Sequence, residues 1–142
     1  MSPDEKTILV VDDEPTVLGT VRDGLTAHGY RVLEALDGET ALQMAEAHQG
    51  PIALLLVDVV MPGLSGPEVA VRLHAIRPDT KLLYMSGFST EVTVVHGVSA
   101  GDPLLVKPFS LETLGRKVKE LLEHRSPFSR PPQPPGREIG PR

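Results

Sequence analysis

Asp12, Asp13, Asp58, Ser86 and Lys107 are the residues of this 142-residue chain whose types and spacing can do chemistry. Each closes or follows an apolar run: "ILVV" before Asp12 and Asp13, "IALLLV" before Asp58, "KLLYM" before Ser86, "LLV" before Lys107. Clustered carboxylates repel, so one of them takes up a proton unless a cation balances the group. Oxygen donors without His or Cys suit Mg²⁺, or Mn²⁺ in its place. Such a metal also neutralises phosphoryl oxygens. A carboxylate nucleophile can form an aspartyl-phosphate. Lys107 offers a point charge to a phosphate oxygen, and Ser86 offers a hydroxyl. Each piece alone has a plainer reading. Acids after a strand often stabilise a helix N-terminus, and a lone Asp58 suits a turn. Only their joint occurrence at four strand ends points to a metal-assisted phosphoryl-acceptor site.

The elements that must position these residues alternate along the chain. "TILVV" (Thr7–Val11) reads as a buried strand. Pro15 suits the first turn of a helix, Val17, Leu18, Val21 and Leu25 share one face of it, and Gly29 ends it. Residues 30–35, "YRVLEA", alternate like a strand. Asp37 caps a helix carrying Ala41, Leu42, Met44 and Ala45, with Gly50 and Pro51 as the stop. Residues 52–57 are apolar throughout, which predicts a central strand covered on both faces. Val69, Leu73 and Ile76 mark a third helix, stopped by Pro78. "KLLYMS" (Lys81–Ser86) is a fourth strand, residues 90–96 a weak fourth helix rich in β-branched side chains, and "LLV" (Leu104–Val106) a short fifth strand. Ser110 caps a last helix striped by Leu111, Leu114, Val118, Leu121 and Leu122. Five strands alternating with five helices predict an α/β domain with a doubly wound parallel sheet. In such sheets ligands bind outside the carboxyl ends of the strands, where all the reactive residues stand.

Composition bounds the rest. With 40% hydrophobic and 23% charged residues, this is ordinary globular composition. The formal charge of −5 and the lack of a long Lys/Arg cluster argue against direct nucleic-acid partners. No apolar run reaches the roughly 20 residues of a membrane span, and "MSPDEK" lacks the apolar segment of a signal peptide. The absence of cysteine excludes disulfides and thiolate metal sites, and fits a cytoplasmic location. Residues 1–5 read as an N-terminal extension, 6–124 as the domain, and 125–142, "RSPFSRPPQPPGREIGPR", as a Pro-rich disordered tail.

Four motifs, "VVDDEP", "LLLVDVVMPGLSG", "YMSGFS" and "LLVKPF", occur in an order and spacing that resemble the receiver domain of bacterial two-component response regulators, of the chemotaxis-regulator type. The resemblance covers residues 6–124. It implies a flavodoxin-like fold with strand order 2-1-3-4-5, the order that the family's chemotaxis protein exemplifies. It implies that Asp58 is the phosphoacceptor, that Asp13 binds Mg²⁺ with Asp12 as its partner, and that the Val60 backbone carbonyl adds a ligand. Ser86 matches the switch hydroxyl, Lys107 the lysine that pairs with the phosphoryl group, and Pro108 a cis-peptide position. Val60 and Phe88 match the residues flanking the path of attacking water. The implied donors are a sensor histidine kinase, a histidine phosphotransfer domain or a small phosphodonor. The implied output is a changed surface on the fourth helix, fifth strand and last helix, with a homodimer through that surface as one option and the downstream partner unspecified. "YMSGFS", "HGV" and "KPFSLETL" further resemble receivers fused to hybrid histidine kinases.

The chain departs from the family pattern at Leu104, where an aromatic is usual, and in the Pro-containing "SAGDP" at 99–103. Rival readings are a haloacid-dehalogenase-type phosphatase, a pseudo-receiver that binds partners without phosphorylation, and a plain flavodoxin-like binder. The first needs Asp-x-Asp on one strand, whereas Asp12 and Asp13 are adjacent. The third needs a phosphate-cradling loop after the first strand, and none follows. His28, His48, His74, His96 and His124 lack metal-ligand spacing. Glu14 reads as a helix N-terminal acid, with contact at the crevice rim as the alternative.

Overall fold

The computed structural model describes residues 5–87, 97–99 and 101–123. They form β1 (Thr7–Val11), α1 (Pro15–Ala27), β2 (Arg31–Ala35), α2 (Gly38–Ala47), β3 (Leu54–Asp58), α3 (Gly66–Ile76), β4 (Lys81–Ser86), β5 (Leu104–Val106) and α4 (Leu111–Glu123). The strands make one parallel sheet in the order β2-β1-β3-β4-β5. β3 is therefore central, and every residue of β1 and β3 is buried. A strand covered on both faces needs no polar alternation, which is why "ILVV" and "LLLV" are continuous.

Successive strand residues point to opposite faces. Leu9, Val11, Leu55, Val57 and Tyr84 pack with Ala41, Ala45, Val69 and Leu73 of α2 and α3. Ile8, Val10, Leu54, Leu56, Leu83 and Met85 pack with Leu18, Val21 and Leu25 of α1 and with Leu114 and Val118 of α4. The helices on the second face lie close together. A Cβ on Gly24 of α1 would come within 2.9 Å of Leu111, and one on Gly115 of α4 within 3.1 Å of the His28 ring.

Helix ends follow local chemistry. Pro15 opens α1, and Gly29, at φ +91°, takes the left-handed turn after it. The Asp37 carboxylate accepts from Thr40 N–H at 2.8 Å, and Thr113 N–H donates to Ser110 Oγ at 3.0 Å. Ser65 and Glu68 form a reciprocal capping box at the start of α3. The Arg77 guanidinium donates to the carbonyls of Ala45, His48 and Gly50 and so satisfies the open end of α2.

Four helices, not five, are present among the described residues; the expected helix at 90–96 lies outside them, as do the tail, Phe88, His96 and His124. β3 begins at Leu54 rather than at position 52, although Ile52 still reaches the core. Ile76 is 45% exposed, because it is the last residue of α3 and projects beyond the face that Val69 and Leu73 bury.

Candidate phosphoacceptor site

The parallel sheet delivers Asp12, Asp58, Ser86 and Lys107 to one edge. Asp58 is the last residue of β3, Ser86 the last of β4, and Asp12 and Lys107 directly follow β1 and β5. Asp58 stands in register with Met85, one residue before Ser86. Lys107 N–H donates to the Ser86 carbonyl at 2.8 Å, which joins the exits of β4 and β5. The Lys107–Pro108 peptide bond is cis.

Asp12 is fully buried, and both of its carboxylate oxygens are engaged. Oδ1 accepts from Glu14 N–H at 2.9 Å, and Oδ2 accepts from Lys107 Nζ at 2.8 Å. Lys107 Nζ also lies 3.4 Å from Asp58 Oδ1 and 3.4 Å from Glu14 Oε1. Oxygens of Asp12, Asp13 and Asp58 come within 4.8 Å of one another. Asp13 is the exposed member, so this acidic crevice opens to solvent on that side. An all-carboxylate donor set at this spacing could hold a hard divalent cation.

The Asp58 carboxyl is pushed up to about 6. Burial is the larger cause; the Lys107 charge pulls it down, while Asp12 and Asp13 push it up. Repulsion among the acids, the effect anticipated from the motifs, is thus real but secondary to burial at the mouth of a central strand. For Lys107, burial pulls the ammonium down, but the Asp12 hydrogen bond and the charges of Asp58 and Asp12 outweigh it, and the net shift is upward. The lysine stays charged at neutral pH.

Of the rim residues, Val60 is half-buried and packs, like Leu104, against the α2/α3-side core. Leu104 pairs in register with the fully buried Tyr84. The Asp102 carboxylate accepts from Ser99 N–H at 2.9 Å.

Two contributors stand outside the motif residues assigned to the site. Glu14 both occupies the N-cap position of α1 and reaches Lys107, so the rim contact that its place after Asp12 and Asp13 left open is present beside the helix-end role. Gly66 donates its N–H to the Val59 carbonyl at 2.8 Å, and a Cβ there would overlap the Asp58 carbonyl oxygen. The glycine thus lets α3 begin against the loop that carries Asp58 and Val60. The "SG" after that loop could have pointed to it, but a glycine opening a helix does not by itself reveal a close approach.

The sequence pattern of the response regulator receiver domain matches residues 8–119. The chain belongs to this family. The receiver is 39% identical over 119 residues to the sensor kinase CckA of Brucella abortus, covering 82% of this chain and 12% of that protein. It is 40% identical over 119 residues to the transcriptional regulatory protein PrrA of Mycobacterium tuberculosis, covering 83% of this chain and 50% of that one. The solved receiver domain of the hybrid histidine kinase CckA superposes with a TM-score of 0.71 at 38% identity, covering 82% of this chain and 99% of that structure. The receiver thus spans half or less of these full-length relatives, and its flavodoxin-like sheet order is that of the family. No helix among the described residues is long and apolar enough to cross a membrane.

Proposed function

We propose that Asp58 accepts a phosphoryl group from the phosphohistidine of a sensor histidine kinase or histidine phosphotransfer domain, or from a small phosphodonor. One observation carries this reading: Asp58 stands at the mouth of the central strand with Asp12 and Asp13 oxygens within 4.8 Å and Lys107 Nζ at 3.4 Å. An Asp58 carboxylate oxygen attacks the phosphorus, the P–N bond breaks, and its electron pair returns to the donor imidazole. The receiver catalyses only its own modification.

Asp13, Asp12, Asp58 and the Val60 backbone carbonyl would hold Mg²⁺, with Mn²⁺ as a substitute. The bound cation supplies charge neutralisation for the phosphoryl oxygens. Lys107 remains charged and near the acceptor, so its ammonium pairs with the incoming phosphoryl group. Ser86 contributes its hydroxyl as the switch. Output then runs to the face of residues 90–96, β5 and α4, with homodimerisation there as a testable option. Because Leu104 replaces the usual aromatic, backbone and apolar repacking near Ser86 carries the change. The working unit is residues 6–124, acting in the cytoplasm.

Acetyl phosphate with Mg²⁺ should add one acid-labile phosphoryl group, and Asp58→Asn, which keeps the shape but removes the anionic nucleophile, should take up none. Equal labelling of the variant would overturn the assignment. Steady turnover of p-nitrophenyl phosphate would instead support the phosphatase reading, and failure to bind Mg²⁺ or beryllofluoride the pseudo-receiver reading.

A further inference from the structure

The described segments contain ten lysines and arginines. Seven have side-chain partners. Arg22, Arg31, Arg72, Lys107 and Lys117 meet carboxylates, while Arg77 and Lys81 donate to backbone carbonyls. Among the described residues, Lys6, Arg116 and Lys119 have no carboxylate within ion-pair distance and no carbonyl partner for the side chain. All three line one cleft, of about 550 Å³, together with Tyr30, Leu122 and the His28–Gly29 turn.

Three unmatched cations lining one cleft, one from before β1 and two from α4, are unexpected in a chain of net charge −5. Like charges that meet without a counter-ion raise the energy of the folded state, so an anion is the natural complement. The cleft carries one acid, Glu123, at its rim. Arg116 and Lys119, three residues apart on α4, project from neighbouring positions and can reach a single anionic group. A guanidinium fork suits phosphate oxygens in particular. The remaining wall is of a different kind. Tyr30 and Leu122 are half-buried and apolar-faced, and the turn at Gly29 brings backbone rather than side chain to the edge. The His28 ring is fixed beside them, its Nδ1 2.9 Å from the Gly24 carbonyl oxygen and its edge against Gly115. A cleft of this size, lined by both cations and an aromatic ring, matches a small ligand with a charged end and a flat body.

We propose that the cleft between the end of α1 and α4 binds a nucleoside phosphate, with Arg116, Lys119 and Lys6 on the phosphates and Tyr30 against the base. The cleft lies at the amino end of the sheet, since Lys6 precedes β1 while Asp12 follows it. That places it roughly 20 Å from the acidic crevice, at the rise of an extended strand. The site therefore does not depend on phosphoryl transfer at Asp58.

The test is an NMR titration of the full chain in EDTA, which keeps metal-bridged phosphates out of the acidic crevice. ATP, GTP and pyrophosphate are added in separate arms. Expected is saturable binding of a nucleotide tighter than about 1 mM, with shifts centred on the amides of Gly29, Tyr30, Gly115 and Arg116. Arg116→Glu with Lys119→Glu should weaken it at least tenfold, and Tyr30→Ala should lower it to the level of pyrophosphate. Arg116→Gln with Lys119→Gln, which removes the cations without reversing charge, guards against misfolding and should weaken it in the same direction. No saturable binding, or nucleotide binding unchanged in both double variants, would overturn the site. Pyrophosphate binding as tightly as ATP and GTP would overturn the nucleoside assignment.

Discussion

Lys107 donates to Asp12 at 2.8 Å while standing 3.4 Å from Asp58. In the unphosphorylated receiver the lysine is thus held on the fully buried acid, within reach of the proposed acceptor. Lys107→Met keeps length and packing but leaves the Asp12 carboxylate with the Glu14 N–H bond alone among its described hydrogen bonds. Removing one member of a buried pair strands the other charge, at a cost of about 3 kcal/mol. Urea unfolding at pH 7.5 in EDTA should show a loss of that order, and Mg²⁺ should recover part of it. Stability equal to wild type would mean that the pair contributes nothing to the fold.

Asp58 gives the apo receiver an inverted pH dependence. Its folded carboxyl titrates near 6, above the ordinary aspartate value, chiefly because it is buried. Below pH 4 both folded and unfolded forms carry the proton, and there is no penalty. Between about pH 4 and 6 the unfolded chain releases it first, so the folded state holds more protons and stability falls as pH rises. Above 6 the penalty is complete, roughly 1–2 kcal/mol after allowance for solvent screening at the open side. Denaturation in EDTA should show this term as the difference between wild type and Asp58→Asn, which is expected to be the more stable above pH 6. A variant no more stable than wild type at pH 7.5 would refute it.

Much of this geometry was legible in the chain. Continuous apolar runs ending in Asp12, Asp58 and Lys107 required a parallel sheet with reactive ends, because residues buried on both faces leave no other place for charge. Asp37 and Ser110 declared themselves as caps through hydrogen-bonding chemistry that operates within a few residues. Contacts between distant segments were less visible. Arg77 closing the end of α2 and Gly66 lying against Asp58 depend on how elements meet, and neither residue type signals that alone. The balance of causes behind the Asp58 shift also required the fold, since motif spacing gives the neighbouring charges but not the depth of burial.

Gly66→Ala tests one such contact. The added methyl would collide with the Asp58 carbonyl oxygen, so the loop from Val59 to Ser65 must move to admit it. A displacement near 1 Å can cost about 100-fold in rate where catalysis rests on positioning. Phosphorylation by acetyl phosphate should slow at least tenfold, with circular dichroism retaining the helical content of the fold. Wild-type labelling rates in the variant would show that the close approach does not position the acceptor.

The lifetime of the phosphorylated receiver follows from what flanks Asp58. Hydrolysis needs a water in line with the phosphorus, and polar side chains at the rim can hold it there. The family resemblance assigns that rim to Val60, which is half-buried against the apolar core, and to Phe88, which lies outside the described residues. Neither side chain can hydrogen-bond a water, and Phe88 has the bulk to obstruct one. Lost positioning raises such a barrier by several kcal/mol, so self-dephosphorylation should be slow, as suits a relay intermediate or a sustained signal. Val60→Asn with Phe88→Glu supplies polar partners on both sides and should shorten the lifetime at least tenfold. The measurement is decay of purified phosphoprotein in Mg²⁺ after donor removal, with Val60→Ile as a control that keeps the rim apolar. A wild-type lifetime no longer than that of the double variant would show that water reaches the phosphorus without help from either residue.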